Sequence, residues 1–132
     1  MSYLLDTHTF LWTLFAPEKL SKSAARDIVS PLNDILISVV SLWEISLKYA
    51  SGKLELNGVE PEDLLDGAET MGVDILPLSA MDAATFHRLP RIHHKDPFDR
   101  LLIWQAIQQH LVLISKDSQF DTYRKLGLKR HW

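Results

Sequence analysis

The chain has 132 residues, no cysteine and a formal net charge of −3, with 46% hydrophobic and 23% charged residues. This composition predicts one globular domain over residues 1–132, and the lack of cysteine excludes disulfide bonds and thiolate metal sites. No apolar run reaches membrane-spanning length, and no basic segment precedes an apolar one at the N-terminus. We therefore expect a cytoplasmic protein without a membrane segment.

Charge is distributed unevenly along the chain. Residues 1–85 carry 5 Lys/Arg and 13 Asp/Glu, a balance of −8, whereas residues 86–132 carry 9 and 4, a balance of +5. A basic segment on an acidic protein is able to attract a phosphate backbone. It is equally consistent with a solvated surface or a docking surface for an acidic partner.

The first half of the chain alternates short apolar segments with amphipathic ones. A strand over residues 3–5 is followed by a helix over 7–15 that stops before Pro17, and a second helix, capped by Ser21, covers 21–29. A strand over 35–38 precedes a helix over 41–50 that ends at Ser51-Gly52. Serine before a helix and glycine after it are the usual signals of helix ends.

The second half repeats the alternation. Helices are predicted over residues 61–71, 79–89, 97–110 and 119–126, and strands over 73–76 and 111–114, with a short last strand from Leu128. Apolar strands that alternate with helices favour a parallel sheet covered on both faces. We predict an α/β fold, a three-layer α/β/α sandwich around a central parallel sheet of four to five strands.

Four acidic residues are predicted to meet at one end of this sheet. Asp6 and Asp117 follow strands, Glu44 lies near the start of the helix after the second strand, and Asp99 lies in the first turn of the helix before the fourth. Sites in open parallel sheets gather beyond the carboxyl ends of the strands. The positions therefore raise the expectation that these acids are functional.

Each acid also has a purely structural explanation. Asp6 is suited to cap the helix that starts at Thr7, and Asp117 with the following serine is suited to make a turn. The segment from Ser41 to Glu44 fits a capping box, in which Glu44 reaches back to the Ser41 backbone. Asp96 fits a helix cap before Pro97, which leaves Asp99 in the first turn, where the helix dipole favours an acid.

Helical spacing sets Asp99 apart. Positions three and four residues further on fall on the apolar stripe of its helix, so its carboxylate is predicted to face inward, which is costly unless it is paired or metal-bound. Several carboxylates that converge without cations raise one another's pKa values, and a divalent cation removes that conflict. Oxygen ligands favour Mg²⁺ or Mn²⁺, and such an ion supports phosphodiester hydrolysis.

The acids stand in segments that together resemble the PIN-domain nucleases, and specifically the VapC-type toxins of toxin–antitoxin pairs. The resemblance runs over residues 3–126, nearly the whole chain, and any one motif alone would be weak. The matching segments are Leu4-Leu5-Asp6-Thr7-His8, Ser38-Val39-Val40-Ser41-Leu42-Trp43-Glu44-Ile45, His94-Lys95-Asp96-Pro97-Phe98-Asp99-Arg100-Leu101-Leu102-Ile103 and Leu113-Ile114-Ser115-Lys116-Asp117.

The resemblance implies a PIN-like α/β/α sandwich with Mg²⁺- or Mn²⁺-dependent endoribonuclease activity. It implies that Asp6 and Asp99 are the principal metal ligands, that Glu44 holds metal or activates water, and that Asp117 acts as a fourth ligand, often through water. It further implies a homodimer and inhibition by a cognate antitoxin that wraps the active-site groove. The expected partners are thus RNA, the antitoxin and a second copy of the chain, with no membrane.

Six neighbouring residues are candidates for supporting roles. Thr7 and Ser115 are placed to orient the acids by hydrogen bonds, while Asp96 matches a recurrent position that its capping role already explains. His8, Arg100 and Lys116 are candidates for contacts with substrate, the last two with phosphate. The other histidines lack the spacing of metal ligands and are expected to be loop residues, and Trp12, Trp43 and Trp104 are expected to lie in the core.

Three other functions fit parts of this pattern. The first is a PIN-domain nuclease in RNA processing or DNA repair without a toxin role, which the short chain without an added domain disfavours. The second is a non-catalytic PIN-like binding module, which the full set of acids argues against. The third is a phosphatase with an aspartate nucleophile after the first strand, but His8 occupies the place where that family usually has a second aspartate.

Overall fold

The computed structural model describes all 132 residues. The strands are β1 (Ser2–Leu5), β2 (Asp34–Ser38), β3 (Val73–Leu76), β4 (Val112–Ile114) and β5 (Lys129–His131). The α-helices are α1 (Thr7–Phe15), α2 (Lys22–Val29), α3 (Val39–Ala50), α4 (Asp63–Thr70), α5 (Ala80–Thr85) and α6 (Pro97–Gln108), with 3₁₀ helices over Pro17–Lys19, Phe86–Arg88 and Ser118–Leu126. None of the helices combines the length and the apolar character that crossing a bilayer requires.

The five strands form one sheet in the order β3-β2-β1-β4-β5, and every pair is parallel. The first strand of the chain is therefore the central one, with β2 on one side and β4 on the other. All carboxyl ends of the strands lie at the same edge of a parallel sheet. Whatever follows β1, β2 and β4 is consequently brought together there.

Alternate side chains of each strand supply two separate apolar cores. Tyr3 and Leu5 of β1 join a cluster that includes Phe10 of α1 and Ile28 of α2, whereas Leu4 joins the opposite one. That opposite cluster contains the buried side of α6 and the 3₁₀ helix Ser118–Leu126; its members from these elements are Leu102, Ile103, Trp104, Ala106, Phe120 and Tyr123. Since a parallel sheet buries both faces under helices, this arrangement confirms the three-layer α/β/α prediction.

Several element boundaries differ from the predictions. The helix predicted over residues 41–50 begins at Val39, because the hydroxyl of Ser38 caps it by accepting the backbone N–H of Val40 at 3.0 Å. The helix predicted from residue 61 begins at Asp63, and the one predicted over 79–89 changes to 3₁₀ form after Thr85. The last predicted helix is 3₁₀ throughout. Local patterns located the elements but not their ends.

The prediction that three tryptophans lie in the core is correct for one of them. Trp104 on α6 is 9% exposed, and its indole N–H donates to the Thr85 hydroxyl. Trp43 on α3 is 61% exposed, so its placement in the core was wrong. Its ring lies edge-on to that of Phe98, with centroids 5.4 Å apart. Trp12 on α1 is half-buried.

Candidate active site

Asp6 lies directly beyond the central strand and is held there by backbone contacts on two sides. Its N–H donates to the carbonyl of Ile114 at the end of β4, at 3.2 Å. Its carboxylate Oδ1 accepts the N–H of Thr9 at 2.8 Å, which makes Asp6 the cap of α1. The predicted cap is thus present, and it fixes the orientation of a carboxylate that is only 8% exposed.

Glu44 projects from α3 into the same edge of the sheet, where both carboxylate oxygens are engaged. Oε1 accepts the hydroxyl of Thr7 at 2.6 Å, and Oε2 accepts the ammonium of Lys48 at 2.5 Å. The Thr7 hydroxyl also lies 2.9 Å from that of Ser41. The predicted capping box is therefore wrong: α3 begins two residues before Ser41, and Glu44 reaches Thr7 and Lys48 rather than the Ser41 backbone.

Asp99 is the acid on which the others act most strongly. Burial raises the pKa of its carboxyl, and the negative charges of Asp96, Glu44, Asp6 and Asp117 raise it further, to about 7. Its own backbone N–H donates to the Asp96 carboxylate, which caps α6 and also accepts the N–H of Phe98 at 2.7 Å. The prediction that Asp96 caps this helix is confirmed. The charges of four carboxylates thus act on that of Asp99.

Asp117 is positioned by its own loop and by a histidine that the sequence did not single out. Its Oδ1 accepts the N–H of Gln119 at 2.9 Å, and its own N–H donates to the Ser115 hydroxyl at 3.1 Å. Ser115 therefore holds the backbone of this loop rather than the carboxylate itself. The Nε2 atom of His94 lies 3.2 Å from Asp117 Oδ2, and the His94 ring stacks on Phe120 with centroids 4.3 Å apart.

His94 lies in the loop before α6, as expected of the histidines, but it is only 7% exposed. No ligand spacing marks it, because its partner lies 23 residues further along the chain. Its place beside His93, before the α6 cap at Asp96, gave no separate signal. Burial against Phe120 and Tyr123 is what brings the imidazole to the acidic cluster.

The three candidates for substrate contact lie in different surroundings. His8 and Lys116 are both exposed and line one cleft together with Asp6, Asp117 and Trp12. Arg100 is turned away from the acids: its guanidinium donates to the Leu89 carbonyl at 2.9 Å and lies over the Phe86 ring, 4.8 Å from the centroid. The suggestion that Arg100 contacts phosphate stays a prediction, although these contacts hold its guanidinium against the segment before α6.

The donor set fits a hard divalent cation. All the candidate ligands are carboxylate oxygens, and the charges of four further carboxylates act on Asp99. No three acidic or histidine side chains converge closely enough to coordinate one ion together. Mg²⁺ is commonly held by one or two carboxylates and keeps several waters, so a pair of acids suffices. Glu44 already has Lys48 as its counter-charge.

Comparison with known proteins places the chain in a family. The model of the PIN domain matches residues 3–126. The chain therefore belongs to the PIN-domain family, as the sequence resemblance predicted. The match covers every residue of the acidic cluster described above.

A curated relative is Ribonuclease VapC22 from Mycobacterium tuberculosis. The two are 26% identical over 126 residues, which covers 92% of this chain and 91% of the relative. The likeness thus extends over nearly the full length of both proteins.

Solved structures share the fold at lower identity. VapBC2 from Rickettsia felis, bound to a DNA fragment from its promoter, matches with a TM-score of 0.69 and 18% identity, over 99% of this chain and 98% of that one. DNA-bound VapBC from Salmonella typhimurium matches with a TM-score of 0.65 and 19% identity, over 99% and 97%. These likenesses bear on the fold alone.

Proposed function

We propose that this protein is a Mg²⁺- or Mn²⁺-dependent endoribonuclease that acts as the toxin of a toxin–antitoxin pair. The observation that carries the proposal is the crowding of Asp6, Glu44, Asp96 and Asp117 around Asp99, whose carboxyl has a pKa of about 7. Membership of the PIN-domain family and the likeness to a curated ribonuclease support it. Repulsion between carboxylates destabilises the folded protein, whereas a bound cation would relieve it. The crowding therefore indicates a cation site.

In this proposal the four acids have separate tasks. Asp6 and Asp99 hold the metal ion, and Asp117 contributes from the loop beyond β4, directly or through water. Glu44 orients the attacking water, since its carboxylate is fixed by Thr7 and Lys48. The bound ion supplies Lewis-acid activation of water and charge stabilisation on the phosphate. Lys116, which is exposed beside Asp117, is placed to contact a phosphate of the substrate.

The toxin role extends the proposal to partners and location. Two of the similar structures are VapBC assemblies, which supports a cognate antitoxin as the partner of this chain. We further propose that the protein is a homodimer and that it acts in the cytoplasm. The antitoxin would cover its active-site groove. A domain organisation with one unit over residues 1–132 is part of the same proposal.

The nuclease function is tested by cleavage of a mixture of cellular RNAs. The wild type, Asp6→Asn and Asp99→Asn are compared in Mg²⁺, in Mn²⁺ and in EDTA, with Asp34→Asn as the matched control. Asp34 is an exposed aspartate at the opposite end of β2, so this variant should cleave like the wild type. We expect each site variant and EDTA to abolish cleavage. Activity that survives both substitutions and chelation would overturn the proposal.

The toxin role is tested separately from cleavage. Induced expression of the wild type should arrest growth, while Asp99→Asn at the same protein level should not. Co-expression of the adjacent reading frame should restore growth, and its product should co-purify with the wild type. Cleavage in vitro without any growth arrest would favour a PIN-domain nuclease in RNA processing or DNA repair.

A further inference from the structure

One cleft of the molecule combines the acids of the candidate site with an aromatic wall. It lies between α1 and the loop after β4, has a volume of about 310 Å³, and is lined by Asp6, His8, Trp12, Lys116 and Asp117. That volume is at the lower end of the about 300–1,000 Å³ found for small-ligand pockets. Because Asp6 and Asp117 belong to both, the cleft is continuous with the candidate active site.

The aromatic wall is held in place by its own contacts. His8 and Trp12 are four residues apart, so they lie on one face of α1, and their ring centroids are 6.0 Å apart. Trp132 meets Trp12 edge-on, with centroids 5.9 Å apart. Trp12 is only half-buried, although it belongs to a helix whose other side is in the core. A large ring fixed at the edge of a cleft costs little entropy when a flat ligand stacks on it.

The charges of the cleft indicate which flat ligand fits. Two carboxylates alone would repel a phosphate, but Lys116 provides a cation at the same opening. An aromatic surface, an ammonium and a neighbouring phosphodiester-cleaving site together match one nucleotide of a nucleic acid. The aromatic ring receives the base, and the ammonium receives a phosphate.

We propose, on the basis of the nuclease function proposed above, that the cleft binds an unpaired nucleobase next to the scissile phosphate. The base stacks on Trp12, beside His8, and Lys116 contacts the adjoining phosphate. A base inside a duplex is covered on both faces by its neighbours and is unable to enter, so the substrate is single-stranded at this nucleotide. Trp12 is thereby a specificity-determining residue for single-stranded over paired RNA.

The first test uses the wild type and altered RNA, so no protein variant has to fold. A fluorescein-labelled, unstructured 12-nucleotide RNA and a series with one abasic position moved along the strand are titrated in EDTA, with gels to verify that the strand stays intact. We expect one position at which loss of the base weakens binding about 5- to 150-fold, the range for loss of base–aromatic stacking. Binding that is unaffected at every abasic position would overturn the inference.

The second test removes the ring from the protein. Trp12→Leu should bind the intact strand as weakly as the wild type binds the critical abasic strand, and should lose nothing more on that abasic strand. Trp12→Phe, which keeps an aromatic face, should retain most of the affinity. Trp43→Leu, which deletes an exposed indole outside the cleft, is the matched control and should bind like the wild type. Equal losses in Trp12→Leu and Trp43→Leu would overturn the assignment.

The phosphate contact has its own readout. For single-stranded RNA each neutralised phosphate contributes a slope of about −0.7 to the dependence of log K on log salt concentration. Lys116→Met should make that slope shallower by about this amount, while the abasic effect persists. An unchanged slope would show that Lys116 does not contact a phosphate of the RNA.

The outcomes separate this inference from the proposed function. Abasic-sensitive binding by a protein that cleaves no RNA would reject the nuclease proposal and keep the base-binding cleft. If cleavage depends on metal but RNA binding is unaffected by Trp12→Leu and by abasic positions, the nuclease proposal is kept and the base-binding cleft is rejected. Loss of antitoxin binding in Trp12→Leu together with unchanged RNA binding would assign the cleft to the protein partner and reject the nucleobase.

Discussion

His94 and Asp117 form the contact that ties the loop before α6 to the loop after β4, with His94 Nε2 3.2 Å from Asp117 Oδ2. The imidazole is 7% exposed and the Asp117 side chain is 45% exposed, so a buried group fixes an accessible one. A group that orients an acid in this way commonly changes metal affinity or activity when it is removed. We therefore expect His94 to be a positioning residue.

His94→Phe is the variant that isolates this role. A phenyl ring keeps the stack on Phe120 but makes no hydrogen bond to Asp117, so cleavage should fall at least about 10-fold while folding is retained. The rise in the Mg²⁺ concentration needed for half-maximal activity is the accompanying measurement. His94→Gln, which restores a donor, should recover part of the loss. Equal activity in His94→Phe and the wild type would show that the contact has no functional weight.

Thr7 carries the hydrogen bond that Glu44 receives from α1. Thr7→Val removes the hydroxyl without changing the shape of the side chain and leaves Glu44 Oε1 without this donor. We expect a loss of about 1–3 kcal/mol in the free energy of unfolding by urea, because a buried acceptor loses its partner. Thr13→Val is the matched control, since the Thr13 hydroxyl only donates back to the Thr9 carbonyl within α1, and it should cost less than about 1 kcal/mol.

Lys48 is the counter-charge of Glu44, and a double-mutant cycle measures their coupling. The Lys48 side chain is 42% exposed and that of Glu44 is 5% exposed, so Lys48→Met leaves a buried carboxylate uncompensated. We expect Lys48→Met to lower the midpoint of urea unfolding and Glu44→Gln/Lys48→Met to recover much of it. Additive losses in the double variant would indicate that the pair is not coupled.

The raised pKa of Asp99 predicts that the stability of the folded protein falls as the pH rises. Its pKa in the folded protein is about 7, above the ordinary value of 3.8, so the folded state holds the proton more tightly than the unfolded state. Its contribution to stability is therefore fully present below about pH 4 and is lost as pH rises to about 7, by up to about 1.4 kcal/mol per unit. In EDTA, Asp99→Asn should have a higher Tm than the wild type at pH 8, with a gap that narrows as the pH falls towards about 4.

The control for this measurement is Asp34→Asn, whose Tm should follow that of the wild type at every pH. Mg²⁺ should raise the Tm of the wild type at pH 8 and leave Asp99→Asn unchanged, because the ligand stabilises only the form that binds it. A wild-type Tm that does not fall relative to Asp99→Asn between pH 5 and pH 8 would contradict the prediction.

The elements that local patterns define were predictable from the sequence. Apolar runs located the strands, and the stripe on α6 turned Asp99 towards the other acids, which the structure reproduces. The start of α3 was not predictable, because Ser38 and Ser41 both suit a cap and only the end of β2 decides between them. For this reason Glu44 was predicted to cap α3, whereas in the structure its carboxylate contacts Thr7 and Lys48.

Contacts between segments that are distant in the chain could not be predicted from local sequence patterns. His94 meets Asp117 through packing on Phe120, and no spacing rule connects residues 23 positions apart. The exposure of Trp43 was not predictable either, because the apolar pattern of α3 does not reveal which of its sides other elements cover. Arg100, adjacent to Asp99 in sequence, points away for the same reason: consecutive helical residues face different directions.

The central place of β1 also determines when during synthesis the site is assembled. Asp6 is made before β4, yet its backbone is anchored to Ile114, and Thr9 reaches the same carbonyl across 105 positions. Closing such a long loop is slow, and it cannot begin before β4 has emerged. During translation, the growing chain therefore carries its acids without a site. The acidic cluster is therefore assembled only after β4 and the loop that carries Asp117 have left the ribosome.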